Sequence, residues 1–395
     1  MSSTEMSNMT NSQTLQQKRD YERFNLSQNP FPYSPVPDEA PVVFTGQDHV
    51  KSELANVLGT AISTGKSNHL VITGKYGNGK SHSLKHAKNM VQTSSDSIVG
   101  YVAQPGDSFL DIYHEFMYDL GHEFFQDLAH EYLAKVVSEH DIETEREING
   151  ADDMRAAIDN GEVILSDIIP LATRELKDIS KFTDFSRALV HLVYEETSLY
   201  AWQWLSGEGL RYEQRKKMEI HTDIDDDSKA VKAFTSIKKL FQALDYGVLC
   251  LFIDEFESIA RLKPKKKQSV LNSLRHVMDR NPDGISILIA CAPEVWQDVM
   301  SEYHAFSERI GNEVALRPFD EDQIESLIED YLSAHSLEED ASPNPYTEAA
   351  IQTLLKKGQG NIRRTISLCG RALDNAIDAE KTEIDQDCVE KALSN

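Results

Sequence analysis

Long hydrophobic runs are absent from this sequence of 395 residues. No apolar run approaches the roughly 18 residues of a membrane-spanning helix, and the polar N-terminus has no apolar core typical of a secretory signal. The chain has only 4 cysteines, and none has metal-ligand or CxxC spacing. We therefore expect no membrane association and no disulfide scaffold, and we interpret the cysteines as free thiols in a reducing cytoplasm.

Basic residues are also scarce relative to acidic ones. The chain has 40 Lys and Arg against 65 Asp and Glu, which gives a formal net charge of −25. Such a surface repels nucleic acid unless a local basic patch overcomes the repulsion. A salt-rich cytoplasm would also favour this composition, and composition alone does not choose between the two interpretations.

A glycine-rich segment is the most informative part of the sequence. Residues 74–81 read GKYGNGKS, match the pattern GxxxxGK[ST] and follow the apolar run Leu70-Val71-Ile72. A strand, a glycine-rich turn and a helix start together form a cradle of backbone N–H groups for phosphate. In this pattern Lys80 reaches the β- and γ-phosphates and the Ser81 hydroxyl binds Mg²⁺. The residues predicted to bind ATP here are Gly74, Gly77, Asn78, Gly79, Lys80, Ser81 and His82.

Apolar runs separated by helical patterns predict the fold class. Their continuous apolar character is typical of a parallel sheet buried on both faces. The sequence therefore predicts an α/β fold, a five-stranded parallel P-loop NTPase sheet with helices on both faces. The predicted strands are residues 69–73, 97–103, 247–253, 285–291 and 313–316.

The segments outside the sheet predict the domain organisation. More than 140 residues separate the second and third strands, so about 122–228 is predicted to be a helical insertion. The first residues are polar without periodicity, and a proline-rich extended segment at 29–41 follows them. The predicted domains are a disordered N-terminus at 1–28, a nucleotide-binding domain at 29–317 and an all-helical lid at 318–395.

Two carboxylates follow the third predicted strand. The run from Val248 to Ile253 is apolar, and Asp254 and Glu255 come directly after it. A carboxylate at the end of a buried strand is costly unless a cation pairs with it, and Mg²⁺ would supply that cation. Asp254 is therefore a predicted metal ligand together with Ser81, and Glu255 is the predicted base that activates the attacking water.

Together these motifs resemble those of AAA+ ATPases, in the clade of origin-recognition initiators and related loaders. The resemblance covers roughly residues 29–121 and 229–395. It implies that the segment Phe44-Thr45-Gly46-Gln47-Asp48 contacts adenine, through Phe44 and Thr45. It also assigns the acidic-pair roles to Asp254 and Glu255, and the phosphate-binding roles to Gly74, Gly79, Lys80 and Ser81.

Two arginines match that family as well. Arg309 lies just before the fifth predicted strand, where the family carries an arginine finger supplied to a neighbouring subunit. Arg363, in Gly360-Asn361-Ile362-Arg363-Arg364, resembles the lid residue called sensor 2, although Arg364 is an alternative. Cations at these places stabilise the charge that develops during phosphoryl transfer. A solvated surface salt bridge is the competing interpretation of Arg309.

One position departs from the family pattern. The fourth strand ends in Cys291, where the family often has Asn, Thr or Ser as sensor 1. A thiol is a weak hydrogen-bond partner, so either nucleotide sensing is reduced or Glu294 takes part. This departure bears on the efficiency of hydrolysis rather than on nucleotide binding.

A closer resemblance rests on the long insertion and two short segments. Trp-Leu-Ser-Gly-Glu at 204–208 and Asp-Glu-Phe-Glu-Ser at 254–258 are similar to segments of the ATP-binding proteins of BREX-type phage-defence systems. Initiators of the AAA+ clade carry a winged-helix domain after the lid, and this chain ends about where the lid ends. Sequence-specific DNA recognition by such a domain is therefore not expected.

Partners are predicted from the charge pattern and the insertion. The run Arg261-Leu262-Lys263-Pro264-Lys265-Lys266-Lys267 is a candidate phosphate-binding loop for non-specific DNA contact, or simply a solvated loop. The insertion either docks a protein partner or enlarges the core. A homo-oligomer is expected if Arg309 acts in trans. The basic residues in question are Lys263, Lys265, Lys266 and Lys267.

The leading functional hypothesis is an ATPase that uses ATP and Mg²⁺ to remodel, load or regulate a DNA-processing partner, in phage defence. The first alternative is a nucleotide-gated switch with little turnover, which Cys291 favours. The second is a DNA-binding regulator of replication or transposition, which the basic run favours and the net charge opposes.

Overall fold

A computed structural model describes residues 19–32, 43–94, 97–338 and 344–394. Among these residues, five strands form one parallel sheet in the order β2-β3-β4-β1-β5. The predicted fold class is confirmed, and so are the predicted strands, although the fifth begins two residues earlier than expected. The strands are β1 (His69–Thr73), β2 (Ser97–Val102), β3 (Val248–Ile253), β4 (Ile285–Cys291) and β5 (Gly311–Ala315).

Helices connect these strands and follow the last one. Around β1 lie α1 (Asp48–Thr64) and α2 (Lys80–Gln92). Between β2 and β3 lie α3 (Phe109–Leu120), α4 (His122–Glu139), α5 (Ala151–Asp159), α6 (Leu165–Ser180), α7 (Thr183–His191), α8 (Ser198–Ser206), α9 (Tyr212–Lys217) and α10 (Asp227–Ala243). Between β3 and β5 lie α11 (Glu257–Ala260), α12 (Pro264–Arg280), α13 (Pro293–Glu302) and α14 (His304–Ile310). After β5 come α15 (Glu321–Ser333), α16 (Glu348–Gly358), α17 (Ile362–Asp378) and α18 (Gln386–Ala392).

The sheet brings the predicted site strands together. Every residue of β1, β3 and β4 is buried, as expected for strands covered on both faces. Because all pairs are parallel, the carboxyl ends of the strands meet at one edge of the sheet. Gly74, Asp254 and Ala292 follow β1, β3 and β4 directly, so they lie along that edge, where open α/β sheets bind ligands.

The chain divides into two compact units, each with its own core. Unit 1 comprises residues 1–48, 75–83 and 316–395, and unit 2 comprises residues 49–74 and 84–315. The core of unit 2 is one continuous cluster that contains both sheet residues and the helices of residues 122–228. In that cluster Trp204 is fully buried and its indole Nε1 donates to the Thr222 carbonyl oxygen at 2.7 Å. The tryptophan is a core anchor, whereas the predicted docking role of residues 122–228 stays a prediction.

The core of unit 1 contains an N-terminal segment that the sequence analysis expected to be disordered. Residues Tyr21–Phe24 form a 3-10 helix, and Phe24 and Leu26 are buried. Asn29 donates its side-chain N–H groups to the Gly370 carbonyl oxygen and to Asp374. The prediction of disorder is therefore wrong for residues 19–28, because a few apolar side chains anchor a segment whose average composition is polar. Residues 1–18 and most of the proline-rich segment lie outside the described residues.

In the part of the chain that the structure describes, no helix has both the length and the apolar character to cross a membrane. The residues Cys250, Cys291, Cys369 and Cys388 are all buried, and none of them forms a disulfide bond within the described residues.

Acidification is expected to weaken the sheet through His69, the first residue of β1. His69 is 6% exposed and its Nδ1 accepts the Ile287 N–H at 3.1 Å, and burial lowers the pKa of this residue to about 4. An unfolded histidine binds a proton near pH 6.5, whereas the folded one does not until about pH 4. Stability is therefore lost as pH falls from 6.5 to 4, by about 3 kcal/mol for this group.

The measurement is the urea midpoint of the whole chain between pH 7 and 4.5. His69→Asn keeps an acceptor near Nδ1 but does not titrate, so this variant should lose less stability over that range than the wild type. Other buried histidines contribute in both proteins and cancel in the comparison. An equal loss of stability on acidification in both proteins would contradict the role of His69.

Candidate nucleotide-binding site

The loop after β1 has the strand–turn–helix geometry that its motif predicts. The strand ends at Thr73 and α2 begins at Lys80. Gly77 and Gly79 have φ of 81° and 95°, values that residues with a Cβ rarely adopt. The Gly74 N–H donates to the Cys291 carbonyl oxygen at 3.1 Å, which ties the start of the loop to β4. The segment thus presents a tight turn and the N-terminus of a 13-residue helix to a ligand.

Within unit 1, the start of α17 is bonded to this loop. The Asn361 side chain donates to the Tyr76 carbonyl oxygen at 2.7 Å and accepts the Arg364 N–H at 3.0 Å, which caps the helix. The Arg363 N–H donates to the Gly77 carbonyl oxygen at 3.0 Å. A Cβ added at Gly77 would lie 2.4 Å from Asn361 Oδ1. This glycine is therefore required both by its backbone angle and by the approach of Asn361.

The side chain of Arg363 also contacts the loop. Its guanidinium carbon lies 4.8 Å from the centroid of the Tyr76 ring, and its Nη1 donates to the Tyr76 hydroxyl at 2.6 Å. The structure thus brings Arg363 to the phosphate-binding loop, while the alternative, Arg364, is exposed. Sequence reasoning missed Tyr76; its only signal was an aromatic residue at a variable position of the glycine-rich pattern.

The predicted adenine-contacting segment lies beside the start of α2. The Phe44 ring stacks on the His82 ring, with centroids 5.3 Å apart and planes 15° apart. Nε2 of His82 is 2.6 Å from the Val43 carbonyl oxygen, and the Thr45 hydroxyl donates to Asp330 in α15. Three predicted ligands, Phe44, Thr45 and His82, are therefore held near one another in unit 1, and their contact with a base stays a prediction.

The acidic pair lies at the end of β3 in unit 2. Asp254 is 3% exposed; its Oδ1 accepts the Glu255 N–H at 2.8 Å and its Oδ2 accepts the Tyr101 hydroxyl at 2.7 Å. Burial and the neighbouring Asp254 raise the pKa of Tyr101 well above its usual value, so the phenol stays a donor. Glu255 is exposed and has a φ of 46°. Tyr101 is a second residue that sequence reasoning missed, because it lies on another strand.

The fourth strand ends without a polar sensing side chain at Cys291. This residue is fully buried, and its carbonyl oxygen accepts the Gly74 N–H. Glu294, the suggested substitute, lies in the first turn of α13 and is exposed. A polar cluster that was not predicted lies beside it, where Glu313 accepts from Thr73 at 3.3 Å and from the Trp296 indole at 3.1 Å.

The predicted arginine finger lies on α14, immediately before β5. This residue is Arg309; its Nε donates to Asp279 Oδ1 at 2.6 Å, and its side chain is 49% exposed. Arg275 pairs with the same carboxylate at 3.5 Å. Arg309 is thus an accessible cation in a surface ion pair of its own chain, and its action on a neighbouring subunit stays a prediction.

The basic run is the start of a helix rather than the predicted loop. Because Pro264 suits the first position of a helix, α12 begins there and carries Lys265, Lys266 and Lys267 in its first turn. Positive charges are unfavourable next to the positive end of a helix dipole. Lys266 pairs with Asp107 at 2.7 Å, and Lys267 pairs with Glu302 at 3.2 Å. The exposed side chains of Lys263 and Lys265 form no ion pair within the described part of unit 2.

One family of proteins matches this chain along most of its length. A family model described as "BREX system ATP-binding protein BrxC/D" matches residues 36–373. No curated protein matches.

Solved structures provide more distant matches. The ORC2 protein of Aeropyrum pernix, in ADPNP–ADP complexes, is 14% identical over 93% of this chain and 72% of its own, with a TM-score of 0.48. The ORC1 protein of Aeropyrum pernix in complex with DNA is 12% identical over 93% and 69%, with a TM-score of 0.49. The RuvB Holliday junction branch migration motor of Thermotoga maritima is 13% identical over 93% and 73%, with a TM-score of 0.41. With TM-scores below 0.5, these similarities support no assignment of function.

Proposed function

The chain belongs to the family of BREX system ATP-binding proteins BrxC/D, as its motifs indicated, and on this basis we propose that it is an ATPase of phage defence. It binds ATP with Mg²⁺ at the loop of residues 74–81, hydrolyses it, and thereby remodels, loads or regulates a DNA-processing partner. The observation that carries the proposal is the turn between β1 and α2, in which Gly77 and Gly79 adopt left-handed backbone angles. That geometry leaves backbone N–H groups and a helix N-terminus for phosphate oxygens.

The roles of the charged residues follow from their chemistry. Lys80 neutralises the β- and γ-phosphates, and Glu255 accepts a proton from the attacking water. Each proposed metal ligand suits Mg²⁺ by its own chemistry: Ser81 offers a hydroxyl, and Asp254 offers a nearly buried carboxylate that pairs with no cation in the described part of unit 2. Tyr101 and the Glu255 N–H hold that carboxylate in one orientation. When bound, the metal would offset the negative charge of the phosphate oxygens.

Binding calorimetry with Mg-ATP tests the proposal most directly. Lys80→Ala removes charge-assisted hydrogen bonds to phosphate, so its dissociation constant should rise about 10- to 100-fold over that of the wild type. Lys75→Ala is the matched control, since Lys75 is an exposed lysine of the same loop that the motif leaves variable. Its affinity should stay within about twofold of the wild type.

Phosphate release measured on the same proteins tests the second half of the proposal, namely turnover. Absence of any heat of binding in the wild type would refute the nucleotide site. Equal losses of Mg-ATP affinity in Lys75→Ala and Lys80→Ala would indicate a general electrostatic effect and not a specific contact of Lys80 with phosphate.

A nucleotide-gated switch is the second candidate function, and Cys291 favours it. Its thiol is buried at the end of β4, where a stronger hydrogen-bonding side chain would orient the attacking water. A wild-type protein that binds Mg-ATP tightly but releases phosphate no faster than Glu255→Gln would support this candidate. A salt titration of DNA binding with and without ATP separates both from a DNA-binding regulator that uses Lys263 and Lys265.

A further inference from the structure

Tyr76 is an exposed aromatic residue in the phosphate-binding loop. Its side chain is 76% exposed, yet the Arg363 guanidinium lies over its ring and donates to its hydroxyl. The contact therefore owes little to burial, and it holds the guanidinium through a cation–π interaction and one hydrogen bond. Arg363 is also the residue whose position in the lid makes it a candidate sensor of the γ-phosphate.

The main chain holds the two side chains together. The Arg363 N–H donates to the Gly77 carbonyl oxygen, and the Asn361 side chain donates to the Tyr76 carbonyl oxygen. These bonds join Asn361 and Arg363, at the start of α17, to Tyr76 and Gly77 of the loop. The proximity of Tyr76 and Arg363 is therefore built into the backbone of unit 1 and does not depend on their side chains.

The geometry of the contact leaves most of the guanidinium available. A guanidinium is planar and has five N–H donors, of which Tyr76 uses one at Nη1. The other four donors therefore stay open to phosphate oxygens, which arginine can bind in pairs. A lysine at position 363 would have no planar group to lie over the ring and no fork of donors for such a pair of bonds.

We propose that Tyr76 is a positioning residue that stacks on Arg363 and holds its guanidinium ready for the γ-phosphate, so that this pair makes the site prefer ATP over ADP. The inference rests on the proposed function. Because the guanidinium is oriented before nucleotide arrives, less conformational freedom is lost on binding ATP. ADP lacks the γ-phosphate and gains nothing from the pair.

The test compares the affinities of Mg-ADP and of a non-hydrolysable Mg-ATP analogue for the full chain. Arg363→Ala should weaken binding of the analogue about 10-fold or more and leave ADP unchanged. Tyr76→Ala should weaken the analogue about three- to tenfold, also without effect on ADP. Tyr76→Phe keeps the ring and should stay within about twofold of the wild type. The double variant Tyr76→Ala/Arg363→Ala should match Arg363→Ala alone.

Other outcomes would overturn the inference. Equal weakening of ADP and analogue by Tyr76→Ala would mean that Tyr76 merely shapes the loop. Additive losses in the double variant would exclude action through Arg363. A loss in Tyr76→Phe as large as that in Tyr76→Ala would refute the stacking, because it would mean that the hydroxyl bond alone holds the guanidinium. If the wild type bound neither nucleotide, the proposed function would fail and this inference with it, whereas the other results refute the inference alone.

Discussion

Replacing Glu255 by glutamine is expected to lower phosphate release about 100- to 10,000-fold, while the affinity for Mg-ATP stays within about twofold of the wild type. An amide cannot accept the proton of the attacking water. It has the size of the carboxylate, so packing around the end of β3 is unchanged. Nucleotide binding depends on the loop of residues 74–81, which this substitution does not alter.

The local backbone geometry does not depend on whether residue 255 is glutamate or glutamine. The strained φ of 46° at residue 255 is a property of the backbone, and glutamine pays the same conformational cost as glutamate. The backbone N–H of residue 255 still donates to Asp254, so the predicted metal ligand keeps its orientation.

Glu257→Gln is the matched control, because it removes the same charge two residues further along. This control should keep the turnover of the wild type. Wild-type turnover in Glu255→Gln would mean that another group activates the water, and equal loss in both variants would indicate an effect of net charge.

The fold was predictable because its signals are local. The run Leu249–Ile253 is apolar at every position, and Ile285–Cys291 is apolar at every position except Ser286, which is typical of strands buried on both faces. The glycines of the phosphate-binding loop report backbone angles directly. The capping box of Asp320 and Gln323 at the start of α15 is a local signal of the same kind, because its two residues are three positions apart.

The contacts that orient the site were not predictable in the same way. Tyr101 lies 153 positions before Asp254, and Tyr76 lies 287 positions before Arg363. No periodicity or spacing joins such residues, because their contact depends on the order of strands in the sheet and on the packing of the last helices. The prediction of a loop at the basic run was wrong for a different reason. A proline before three lysines suits the start of a helix as well as a loop.

Arg309→Ala is expected to reduce turnover about 1,000-fold or more and to leave the affinity for Mg-ATP unchanged. The reason is that an arginine finger stabilises charge that appears only in the transition state. Turnover per subunit in the wild type should rise with protein concentration, since each site would depend on a neighbouring subunit.

Arg275→Ala is the matched control for this variant. Arg275 and Arg309 pair with the same Asp279 carboxylate, so both substitutions remove an ion pair from one surface. Only the loss of Arg309 should affect turnover. Comparable losses in both variants would assign Arg309 to the structure of α12 and α14 instead of to catalysis.

Mixing two inactive variants distinguishes action in trans from action in cis. A Glu255→Gln subunit still binds ATP and still offers Arg309, while an Arg309→Ala subunit has an intact Glu255. If the finger acts across a head-to-tail interface, an equal mixture should regain up to about a quarter of wild-type turnover, because half of the subunits have a working base and half of their neighbours have a finger. If Arg309 serves its own site, every subunit in the mixture lacks one of the two groups, and turnover stays at the level of the separate variants. A mixture without recovery, at a concentration where the wild type is fully active, would therefore refute the trans role.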